Sequence, residues 1–233
     1  MKKIWIACAA VLLPVFAKGR GHAQTLSFKL DRVGSPPTQY TIHVEESSGR
    51  GMYRAESPKP AGTAEQVAPP AEISLVVGTA TLKKLLAAIP LVESGRCETH
   101  MKKIAQTGVK VLRYERDGKV SECTYNYSDD ERVNTATSQF EAIGETMQYG
   151  DRLAAKLRFD RLGLDTEVDG LQSAIAEGRA VDVGNISPVL QAIENDDRVM
   201  DRVRRKVARV LVSAGATPGQ TASGSPAVGP MDR

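Results

Sequence analysis

Apolar and polar residues alternate with a period of two through the first patterned stretch of the chain. Leu26, Phe28 and Leu30 alternate with Ser27, Lys29 and Asp31, and Tyr40, Ile42 and Val44 alternate with Thr41, His43 and Glu45. This period sends successive side chains to opposite faces of a strand, so each run predicts a half-buried strand. Gly34-Ser35-Pro36-Pro37 separates them, Ser47-Ser48-Gly49-Arg50-Gly51 forms a turn, and Met52 to Ala55 returns as a third strand. A fourth strand is expected at Ile73 to Val77, followed by a short helix over about Thr81 to Ala88 with Leu82, Leu85, Leu86 and Ile89 inward and Pro90 as its stop. Residues 91–107 carry Cys97 but show no period.

The sharpest local signal lies at Val109 to Tyr127. Asp117-Gly118 suits a type I′ turn, which pairs Arg116 with Lys119 and Leu112 with Cys123. On that register Leu112, Tyr114, Cys123, Tyr125 and Tyr127 share one face, which is expected to pack beneath a long helix. Ser128 and Glu131 have capping-box spacing at the start of that helix. Val133, Ala136, Phe140, Ile143, Met147, Gly150, Ala154 and Leu157 repeat at intervals of three and four, which places them on one helical face. About thirty residues of helix span roughly 45 Å, enough to cross a small domain. A break near Gly150 and a continuous helix with close packing there are both compatible with the pattern.

Shorter helices come next. Gly163 suits the position after the long helix, and Asp165 a cap for a helix bearing Val168, Leu171 and Ile175 that ends at Gly178. Ser187-Pro188 opens another with Leu190 and Ile193, and Asp196 or Asp197 a last one with Val199, Val203, Val207 and Leu211. Strands first and helices last predict an α+β fold: an N-terminal, mostly antiparallel sheet covered by a long helix and a C-terminal group of shorter ones. The expected organisation is a single domain over 24–214, mainly strands in 24–127 and helical in 128–214. A Pro/Ala-rich exposed loop at 57–71 interrupts it, and a Gly/Pro/Ser-rich tail at 215–233 is expected to be disordered.

Residues 1–23 change the charge balance. Lys2 and Lys3, the apolar run Ile4 to Phe16 and the small residues of Gly21-His22-Ala23 match a secretory signal peptide, with cleavage expected after Ala23. This segment holds four of the 31 basic residues and none of the 28 acidic ones, leaving 27 against 28 and a net charge of −1 in place of +3. The basicity therefore belongs to targeting, and nucleic acid is not an expected partner. The apolar run of the signal is too short to span a bilayer, and no later run is long and apolar enough to do so. The expected location is secreted or periplasmic. Of three cysteines Cys8 lies in the signal, and Cys97 with Cys123 predict a disulfide in an oxidising compartment.

Candidate chemistry is sparse. No phosphate loop, dinucleotide fingerprint, nucleophile elbow or metal-ligand spacing occurs, so no cofactor and no metal is expected. His43 and His100 survive processing and read as surface histidines. Asp160 and Asp165, with Arg158 and Arg161 nearby, are the candidates for a hydrolytic carboxylate pair, although helix capping and an arginine pairing also account for them. Arg198, Arg202, Arg205 and Arg209 fall on one face of the expected last helix and form a candidate contact with an anionic surface. Glu194 and Asp201 stand four residues ahead of Arg198 and Arg205, however, as in ordinary pairing within a helix. With 5% aromatics, the tyrosines of the hairpin are expected in the core. The reading favoured is a non-catalytic binding module for an unidentified protein or envelope component, with the hydrolase and the anionic-surface attachment as alternatives.

Overall fold

The computed structural model describes residues 24–32, 39–56, 72–98 and 108–215. The segment expected to be a signal peptide, the expected loop at 57–71 and all of the tail after Gly215 lie outside the described residues. Strands β1 (Thr25–Asp31), β2 (Gln39–Glu45), β3 (Arg50–Glu56), β4 (Glu72–Val76), β5 (Val109–Arg116) and β6 (Lys119–Tyr125) form one sheet in the order β4-β3-β2-β1-β5-β6. Every neighbouring pair is antiparallel. Helices α1 (Thr79–Leu86), α2 (Ile89–Glu93), α3 (Glu131–Phe159), α4 (Leu164–Ala176), α5 (Ser187–Asn195) and α6 (Asp201–Ser213) complete the α+β fold.

The period-two pattern has its expected consequence. Leu26, Phe28, Leu30, Tyr40, Ile42, Val44, Leu112, Tyr114, Cys123 and Tyr125 are buried against helices, and their polar alternates face outward on the other side. Asp117 and Gly118 both have positive φ, 52° and 77°, as a type I′ turn requires, and Leu112 stands opposite Cys123. Cys97, just past α2, is joined to Cys123 with a Cα–Cα distance of 5.8 Å. Tyr127 departs from the expected packing. It lies beyond the end of β6 and is 42% exposed.

The long helix is continuous through Gly150. Phe140 stacks on Phe28 with ring centroids 5.1 Å apart, seating the helix on the centre of the sheet. Thr137 Oγ1 donates to Val133 O at 2.7 Å, so the Tyr125 hydroxyl donates to Thr137 Oγ1 at 2.6 Å and pins the hairpin to the helix. Gly150 approaches Ile186 so closely that a Cβ would lie 2.7 Å from its Cγ2. Close packing, not a break, accounts for that glycine.

Several local expectations are corrected. Asp130, not Ser128, caps α3: its carboxylate accepts from the Arg132 backbone N–H at 2.9 Å, while Ser128 Oγ accepts from the Asp130 N–H just before the helix. The inward residue near the end of α3 is Leu153; Ala154 is exposed. Pro90 opens α2 instead of merely ending α1, because its missing N–H is tolerated in a first turn. Gly163 is not a left-handed helix terminator (φ −71°), Asp165 lies inside the first turn of α4, and neither Asp196 nor Asp197 caps α6.

The exposed edge of β4 is guarded by a side chain. Asn185 accepts from the Val76 N–H at 2.7 Å and donates to the Val76 carbonyl at 3.0 Å, occupying the groups another strand would use.

Candidate functional site

The segment that sequence nominated for chemistry, Arg158 to Asp165, forms the corner between α3 and α4. Asp160 leaves the helix at φ −148°, and its carboxylate accepts from the Gly163 N–H at 3.0 Å and from Lys156 Nζ at 3.3 Å. A Cβ at Gly163 would collide with that carboxylate, which explains the glycine. The expected arginine partner of Asp160 is thus a lysine. Asp165 instead reaches α6, accepting from Arg202 Nη2 and Lys206 Nζ at 2.8 and 2.9 Å. The Gly163 N–H and Lys156 hold the Asp160 carboxyl below its ordinary range, and Lys206 and Arg202 do the same for Asp165. Carboxylates kept ionised in this way are poor general acids near neutral pH. Neither carboxylate lines the groove that runs beside this corner.

Beside this corner runs an open groove of about 710 Å³ between the end of α3 and α5. Ala154, Leu157, Val189 and Ala192 contribute its apolar lining, and Arg158, Arg161, Asp197 and Arg198 its charged one. Asp196 organises that rim. It accepts from Arg198 Nε and Nη2 at 2.8 and 2.9 Å and from Arg161 Nε at 3.3 Å. Its side chain is only 10% exposed, and the Arg198 contacts push its pKa well below the ordinary carboxylate value. Arg158 has no carboxylate partner among the described residues; its guanidinium lies over the Phe159 ring at 4.9 Å from the centroid.

Phe159 and Leu162, interleaved with those arginines, are 77% and 79% exposed. Sequence reasoning missed them. Both sit where the helical period ends, so periodicity could not say which way they turn. An apolar pair beyond the last seam residue, Leu157, was the available signal.

The four arginines proposed for an anionic surface do not share a helix. Arg198 precedes α6 and clasps Asp196 rather than Glu194, Arg202 pairs with Asp165, and Arg205 pairs with Asp201. Arg209 is exposed and has no ion pair among the described residues. Most of this charge is thus answered locally. On the open face of the sheet His43 is exposed, with Nδ1 2.7 Å from Ser27 Oγ and no carboxylate among the described residues hydrogen-bonded to the ring. His100 lies outside the described residues. Among the described residues no three His, Cys, Asp or Glu side chains are grouped to hold a metal ion, and no helix is long and apolar enough to cross a membrane.

No protein-family model matches the chain, and a search of curated proteins finds no match.

Proposed function

We propose that this chain is an exported, non-catalytic binding module that docks a protein segment of the cell envelope at the α3–α4 corner. The observation that carries the reading is the exposure of Phe159 and Leu162, each adjacent in sequence to an arginine, Arg158 or Arg161, that lines the groove. Large apolar side chains exposed close together mark interaction surfaces more often than isolated exposed residues do. The groove suits a short amphipathic segment laid between two helices, with apolar side chains on its floor and a carboxylate for Arg158. Its rim mixes cations and carboxylates, Arg158 and Asp197 among them, so it lacks the single-signed field that an anionic bilayer rewards. Export is supported by the signal-like pattern of residues 1–23 and by the disulfide, which suits an oxidising compartment. Cleavage after Ala23 would leave all of β1, which begins at Thr25, in the mature chain.

The test replaces both exposed side chains together, Phe159→Ser with Leu162→Ser. Native-size analysis of envelope extracts should show the wild type in a larger complex and the double variant released from it. Because both side chains are exposed, unfolding free energy should stay within about 0.5 kcal/mol of wild type. A double variant that remains in the complex would contradict the reading.

A further inference from the structure

The strand register builds a second feature away from the corner, on the open face of the sheet. Ser27, His43, Met52 and Ser74 stand in one row across β1, β2, β3 and β4, each the direct cross-strand partner of the next. Opposed residues on one face hold their Cβ atoms about 5 Å apart, within reach of a single bridging ion. His43 and Met52 both line the same cleft of about 740 Å³. Imidazole nitrogen with a thioether sulfur is a soft donor pair, of the kind that selects d¹⁰ copper(I) or silver(I) over hard cations such as magnesium and calcium.

We infer that His43 Nε2 and Met52 Sδ form a binding site for a soft monovalent metal ion, copper(I) or its analogue silver(I). The flanking serines act as positioning residues. When the ring carries its proton on Nδ1, that N–H donates to Ser27 Oγ at 2.7 Å, and the Nε2 lone pair is left free for the metal. On the other side the Ser74 hydroxyl donates to Met52 Sδ at 3.7 Å and restrains the thioether. Arg113, the cross-strand neighbour of Ser27 on β5, is engaged by Glu115 and Glu122. Metal binding at Nε2 displaces no proton from the neutral ring, and no electron transfer is involved. Sequence inspection missed the pair because His43 and Met52 are joined by register, not by spacing along the chain.

The experiment titrates the full folded protein, disulfide intact, with silver nitrate in chloride-free buffer and follows the His43 ring and the Met52 methyl by NMR. Copper(I) under argon serves as the second probe. The expected result is saturable movement of both signals at one equivalent. Met52→Leu and His43→Gln, neither of which disturbs the buried face, should each remove that response, and Ser27→Ala should weaken binding about tenfold. A His100→Gln variant should bind as the wild type does. Movement of the His43 ring with a stationary Met52 methyl would overturn the proposal, as would binding unchanged in the Met52 and His43 variants.

Discussion

At Gly144 the rings of the sheet come within reach of the helix backbone. A Cβ there would lie 2.8–2.9 Å from Tyr40 Cζ, Cε2 and the hydroxyl oxygen, and Tyr40 is held by Phe28 and Tyr53 on either side. The ring has nowhere to retreat, so Gly144→Ala should destabilise the fold by about 1–3 kcal/mol despite alanine's better helix propensity. Urea denaturation measures this; a stabilised variant would show that α3 does not press on Tyr40. Asp196 supplies a second residue-scale prediction, through pH. A carboxylate with a lowered folded pKa stabilises fully above its ordinary value of 3.8, and the contribution is lost as pH falls through the folded value. Asp182 acts in the opposite sense, because burial raises its pKa and protonation favours the folded state. Asp196→Asn should therefore lower stability at neutral pH and flatten the loss of stability below pH ~4, as read from urea midpoints across pH. An unchanged slope would remove Asp196 from the acid response.

Among elements, the hairpin and α3 show best what could be read in advance. Asp117-Gly118 set the register of β5 and β6, since this dipeptide tolerates the positive φ at both residues that a two-residue type I′ turn needs. The strands were legible because one face is buried and the other solvated, which writes the period into the sequence. Helix ends were less legible. Asp130, Ser128, Asp160 and Asp196 all bind backbone N–H groups, and a sequence offering several such acceptors in succession does not reveal which one ends the helix. The groove was invisible for a different reason: Leu157 and Val189 meet only through tertiary packing. The disulfide closes 26 positions of chain, including the unpatterned segment after Cys97. Replacing both cysteines by alanine should cost about 2–5 kcal/mol, visible as a lowered melting temperature that added reductant does not lower further. Equal melting of variant and oxidised wild type would contradict that role.

For the whole molecule, the sheet and helices divide the work. The buried face of the sheet and the seam of α3 form the core, leaving two solvent-facing regions with distinct chemistry: a polar sheet face carrying His43 and Met52, and an apolar corner carrying Phe159 and Leu162. The corner is cross-braced, because Asp165 ties α4 to α6 and Asp196 ties Arg161 to Arg198. On the docking proposal, a partner would meet a surface already held by these pairs and pay little to order it. The most direct measurement places a photo-crosslinking amino acid at position 159 in living cells, with position 124 on the open sheet face as control. The docking account predicts a discrete protein adduct at 159, lost on Arg158→Glu, and none at 124. Adducts to lipid alone, or equal labelling at both positions, would contradict it.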